Sequence, residues 1–77
     1  MIKHQVNLEK IKTLRKTKRI SQGEMASLLG YESPTGYYYL ESGRCSITAE
    51  QLYLIAEILE VKIADLFFAP ELSKMVG

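Results

Sequence analysis

The sequence predicts an all-α domain of five short helices, and three observations carry that expectation. Apolar residues recur at the three- and four-residue spacing of a helix face, two Ser/Thr-x-x-Glu/Gln capping boxes open helices at Ser21 and Thr48, and no run alternates apolar and polar residues long enough to make a strand. The tyrosine run 37–39 has β-propensity, but it sits between helix signals.

Each element has its own punctuation. The first helix is expected over about 7–18: Asn7 is a candidate N-cap, and Leu8, Ile11 and Leu14 fall on one face with cations between them. Ser21-Gln22-Gly23-Glu24 opens a second helix, about 22–29, that carries Met25, Ala26, Leu28 and Leu29 and stops at Gly30. Ser33-Pro34 reads as an N-cap followed by proline at the first helical position, where a missing N–H does no harm, and Gly43 ends this third helix, about 34–42. Thr48-Ala49-Glu50-Gln51 opens the fourth, about 49–60, with an apolar stripe of Leu52, Ile55, Ala56 and Leu59. Residues 63–68 read as a fifth helix, with Pro70 breaking the chain beyond it.

Composition bounds what such a chain can do. With 77 residues, 47% hydrophobic and 25% charged, the chain reads as one folded domain with a small core, about 8–68, and tails at 1–6 and 70–77. Single Cys45 and single His4 exclude an internal disulfide and a His/Cys zinc site, so helix packing or a dimer must supply the stability, and no cofactor is expected. No signal peptide or membrane span is expected, which points to the cytoplasm. The net charge of +1 hides an asymmetry: residues 1–19 carry seven cations against Glu9, net +6, whereas residues 20–77 carry net −5. A basic end favours phosphate. Enzymatic chemistry is not expected, since neither His4 nor Cys45 belongs to a nucleophile–base pair or a metal cluster.

The second and third helices meet at Gly30 with the small Ala26 on the inner face, so they can cross closely as a helix-turn-helix. Leu14-Arg15-Lys16, Ile20-Ser21-Gln22, Glu24-Met25-Ala26, Leu28-Leu29-Gly30, Leu40-Glu41-Ser42-Gly43, Leu59-Glu60-Val61 and Asp65-Leu66-Phe67 together resemble the Cro and phage-repressor (xenobiotic-response-element type) family of DNA-binding regulators over about residues 8–68. The resemblance implies a five-helix, lambda-repressor-like fold and a sequence-specific regulator of double-stranded DNA, prokaryotic or phage-encoded and nucleoid-associated. In such a regulator, commonly a repressor and a homodimer, the third helix enters the major groove. It also implies that Gln22 holds a phosphate and that Arg15 and Glu41 form a salt bridge orienting the third helix.

The residues supply the rest of the expected interface. Helical geometry puts Tyr37 and Leu40 inward and Thr35, Tyr38 and Tyr39 on the opposite, reading face, with Pro34 at its rim. Arg44, with Ser42 and Ser46 nearby, is a candidate phosphate contact, as are Lys16, Lys18 and Arg19 before the second helix. Three features depart from the family: one extra residue within Tyr31-Glu32-Ser33, no Arg, Lys, Asn or Gln from 34 to 41, and Gly36 inside the helix. Gly36 implies either close approach by another backbone or by DNA, or a poorly formed helix. The tyrosine-rich, cation-free face also fits a second function, a protein-binding module such as an antitoxin or an antagonist of another regulator. Ile63, Leu66, Phe67, Phe68 and Leu72 could either close the core or form a dimer surface.

Overall fold

The computed structural model of the chain describes residues 5–68, and its elements are four α-helices and one 3-10 turn. The helices are α1 (Leu8–Thr17), α2 (Gln22–Leu28), α3 (Pro34–Ser42) and α4 (Ala49–Leu59), and the turn spans Ile63–Leu66. The expected tails, apart from Gln5 and Val6, lie outside the described residues, as do His4, Pro70 and Leu72.

The helix starts follow the side-chain chemistry at each cap. The Asn7 side chain accepts from the Lys10 N–H, and both capping boxes close reciprocally: Ser21 with Glu24, and Thr48 with Gln51. Ser33 caps α3 without a side-chain hydrogen bond, and Pro34 supplies the preset φ of the first helical position.

All four helices stop in the same way. A residue in the left-handed region follows each one, and the next N–H reaches back across the last turn: Ile20 to the Arg15 carbonyl at 3.1 Å, Tyr31 to Ala26 at 2.9 Å, Arg44 to Tyr39 at 2.9 Å and Val61 to Ala56 at 3.1 Å. These are Schellman motifs. Gly30 and Gly43 fill the left-handed position at φ +90° and +85°, whereas Arg19 (φ 60°) and Glu60 (φ 59°) fill it with side chains that are sterically crowded there.

The expected fifth helix over 63–68 is not formed. Asp65 caps the Lys62 N–H at 3.3 Å, one turn of i→i−3 bonding follows, and the chain then extends. The backbone groups that a longer helix would use internally go instead to the N-terminal segment: Asn7 N–H donates to the Leu66 carbonyl at 2.7 Å, and Phe68 N–H donates to the Gln5 carbonyl at 2.9 Å. Val6 and Phe67 thus form an isolated antiparallel bridge that joins the two ends of the described chain.

The core gathers Ile11 from α1, Met25 and Ala26 from α2, Tyr37 and Leu40 from α3, Leu52, Ile55, Ala56 and Leu59 from α4, and Leu66. Each fully buried Leu, Ile or Met contributes about 1.5–3 kcal/mol relative to exposure, which is how short helices of marginal intrinsic stability hold together. α2 packs chiefly on α3, and α1 reaches both α3 and the 3-10 turn, so α3 is held from two sides. Ile63 and Phe68 remain exposed while Leu66 is sealed and Phe67 is half-buried, so the C-terminal apolar cluster both closes the core and leaves surface.

Candidate nucleic-acid interface

α3 turns a buried face of Tyr37, Leu40 and Glu41 toward the other helices and leaves Pro34, Thr35, Tyr38 and Tyr39 outside. Tyr38 and Tyr39 are 45% and 36% exposed, against 0% for Tyr37. Their rings lie 6.0 Å apart, centroid to centroid, and are tilted by 53°. The first turns of α2 and α3 adjoin, since a Cβ at Gly23 would stand 3.7 Å from the Pro34 ring. Gln22, Pro34 and Thr35 therefore belong to neighbouring turns of one surface.

Arg44 reaches that surface because of the α3 terminus. The left-handed Gly43 folds the chain back, and the Tyr39 carbonyl accepts from the Arg44 N–H, the Cys45 N–H at 3.3 Å and the Ser42 hydroxyl at 3.3 Å. The Arg44 guanidinium consequently stands 5.5 Å from the centroid of the Tyr39 ring, within cation–π range. Arg44 is also the one cation in residues 20–61, a stretch with six carboxylates, while Lys12 of α1 lines a groove together with Gln22, Tyr38 and Ser42.

Behind the face lies a buried polar network. The Arg15 Nε donates to Glu41 Oε2 at 2.8 Å, Nη2 donates to Oε1 at 3.0 Å, and Nη1 donates to the Ile20 carbonyl at 2.8 Å. The paired side chains are only 8% and 3% exposed. Gln22 enters the same network: its Nε2 donates to Glu41 Oε1 at 3.3 Å. Burial pushes the Glu41 carboxyl pKa up, but hydrogen bonds from Arg15 and the Arg15 charge, aided by Tyr37 and Gln22, outweigh it and hold the pKa below the ordinary value. Burial pushes the Tyr37 hydroxyl up, and its close approach to the Glu41 carboxylate, by polar contact and by charge, raises it further. That hydroxyl lies beside the ion pair yet meets no partner among the described residues in hydrogen-bond geometry.

A buried tripod of this kind ties α1, α2 and α3 together behind an outward helix presented across a tight turn, which is the architecture of the helix-turn-helix. The sequence model of the helix-turn-helix family matches residues 11–66. The chain belongs to the Cro/C1-type helix-turn-helix family. That family consists of DNA-binding regulators of transcription, and this chain is a DNA-binding helix-turn-helix regulator. No curated protein matches the chain.

The remaining cations of this regulator sit differently from Arg44. Lys18 Nζ donates to Glu60 Oε1 at 2.5 Å, which turns its charge toward the end of α4. Arg19 is exposed at the left-handed terminus of α1, three residues before Gln22. The sequence gives no sign of the Gln22–Glu41 bond, because its direction depends on where α3 lies. It also gives no sign of the role of Tyr31, whose ring covers the Gly36 backbone and whose hydroxyl accepts from Gln51 Nε2 at 2.7 Å. Gly36 is thus explained by close approach of a side chain from the preceding turn, inside a regular helix.

Proposed function

We propose that this regulator is a sequence-specific repressor that inserts α3 into the major groove of double-stranded DNA and blocks access of polymerase. The observation that carries this reading is the continuous outer surface of Gln22, Pro34, Thr35, Tyr38, Tyr39 and Arg44, backed by the Arg15–Glu41 pair. Thr35 and the two tyrosine hydroxyls can donate to or accept from base edges, and their methyl and ring surfaces can meet thymine methyl groups. Gln22 commits one amide N–H to Glu41 and keeps a second for a phosphate oxygen. Arg44 supplies the main phosphate contact on this face, with Arg19 and Lys18 as secondary ones, Lys18 only if it leaves Glu60.

A 77-residue domain covers one half-site, so two copies related by a two-fold axis, reading half-sites about 34 Å apart, complete the operator. The exposed Ile63, Phe68 and Tyr53 support a contact between copies. No helix among the described residues is long and apolar enough to cross a membrane, in keeping with a regulator that meets DNA in a prokaryotic cytoplasm. The cation-poor tyrosine surface also favours a second reading, in which the same face binds a protein.

Selection of duplexes from a random pool at near-physiological salt tests the assignment, with the Thr35→Ala/Tyr39→Ala protein as control. Enrichment of a two-fold symmetric motif by the native chain and its loss in the control is the expected result. No enrichment by the native chain would sink specific DNA readout in favour of the protein-binding module.

A further inference from the structure

We propose that Tyr31 is a positioning residue: by lying across Gly36 and binding Gln51 it fixes how α3 is presented, and so contributes to which base sequences the protein prefers. The proposal rests on α3 being the DNA-reading helix.

Three contacts from one residue hold the recognition element. The Tyr31 backbone is pinned to α2 through its N–H bond to Ala26, immediately after the left-handed Gly30. Its ring lies against the backbone of α3: a Cβ at Gly36 would stand 2.6 Å from Cε1, 2.9 Å from Cγ and closer still to Cδ1. Its hydroxyl is tied to α4 through Gln51, whose amide is already oriented because the other end accepts from the Thr48 N–H at 3.0 Å. Tyr31 therefore measures the position of α3 against α2 and α4 together.

The sequence cost of this arrangement argues that it is specific. Glycine is the poorest helix former after proline, and at position 36 it sits in the third residue of a nine-residue helix. An alanine there would improve the helix but would strike the ring, so ring and glycine depend on each other. The long connection Tyr31-Glu32-Ser33 before Pro34 is what brings the ring back over the helix it precedes.

The test compares the native chain with Gly36→Ala, Tyr31→Phe, Tyr31→Ala and Tyr31→Ala/Gly36→Ala. Tyr31→Leu stands in wherever Tyr31→Ala does not fold. Residual dipolar couplings of the free proteins report the orientation of α3 against α1 and α4, and selection from random duplexes reports base preference. Gly36→Ala is expected to lower the melting temperature when Tyr31 is present and to raise it when combined with Tyr31→Ala. Tyr31→Ala and Gly36→Ala are both expected to reorient α3 and to change relative affinity by about tenfold at one or more half-site positions. Tyr31→Phe, which keeps the ring but loses the bond to Gln51, is expected to shift orientation and preference in the same direction by less than Tyr31→Ala does. If Tyr31→Ala lowers stability while couplings and base preference stay native, Tyr31 only packs and the proposal is overturned. If the native chain itself selects no motif, the assignment of α3 as the reading helix fails first, and the proposal falls with it.

Discussion

Arg15 and Glu41, 26 positions apart, meet through two parallel hydrogen bonds of 2.8 and 3.0 Å in a nearly dry site. A planar guanidinium fork on a carboxylate sets direction as well as distance, so the pair fixes the rotation of α3 against α1. Removing either partner leaves a buried charge: Arg15→Ala or Glu41→Ala is expected to cost about 3–5 kcal/mol in urea denaturation, a large part of what so small a domain possesses. Replacing both by Met and Leu is expected to cost far less than the sum. Acid should act on the same pair. Glu41 has a lower pKa folded than its unfolded value of 4.5, so its stabilisation is complete above that value. As pH falls through 4.5 the unfolded chain takes up the proton first, and stability declines until the folded pKa is passed. Glu41→Gln should flatten that acid limb in stability measured against pH; an unchanged limb would place the titration elsewhere.

Tyr37 stands beside this pair with a sealed ring and a hydroxyl lacking a hydrogen-bond partner among the described residues. The ring fills the core, whereas the hydroxyl has given up water without full replacement. Tyr37→Phe is therefore expected to leave folding free energy unchanged or to improve it by up to about 1 kcal/mol. Burial raises the folded pKa of the hydroxyl, so its contribution is fully present below the ordinary value of 10.0 and is lost as pH rises beyond it. The phenylalanine protein should accordingly lose less stability in alkali, and a loss of more than about 1 kcal/mol at neutral pH would show that the hydroxyl is satisfied after all.

What the sequence made legible was local. Ser21 with Glu24 and Thr48 with Gln51 are each three residues apart, and both close the capping boxes that their spacing announces. Gly30 and Gly43 mark helix ends for the same reason: glycine is the default at a left-handed position. Arg19 and Glu60 end helices in the same conformation without any such mark. The segment after Val61 has the apolar content of a helix but only one turn of it, because its carbonyls and amides are claimed by Gln5 and Asn7 at the far end of the described chain. Long-range partners decide the site as well. Nothing in the residues alone pairs Arg15 with Glu41, a pairing that enters through family resemblance, and nothing near Gly36 reveals that the empty side of α3 belongs to Tyr31.

Arg44 combines a cation–π contact on Tyr39 with the only positive charge that residues 20–61 contribute. A phosphate contact made there carries no base information, so Arg44→Ala should weaken DNA binding about equally for all sequences. The slope of log affinity against log salt should become shallower by about one. Fluorescence anisotropy titrations of a selected duplex and a scrambled one, from low to physiological salt, measure both effects. A sequence-dependent loss would instead make Arg44 a reader of bases.

Arg19 separates stability from binding, because the two demands on it conflict. Its left-handed φ of 60° suits glycine, which at such a position relieves steric crowding worth about 1 kcal/mol. Its guanidinium, exposed three residues before Gln22, is one of the charges proposed to meet phosphate. Arg19→Gly should therefore raise the denaturation midpoint by roughly 4–8 °C while lowering DNA affinity and making the salt slope shallower. Arg19→Asn, which also tolerates the left-handed region, should show the same split with a smaller gain in stability. If both variants gain stability and keep native affinity and salt slope, Arg19 serves only to terminate α1, and the backbone contact on this face falls to Arg44 and Gln22.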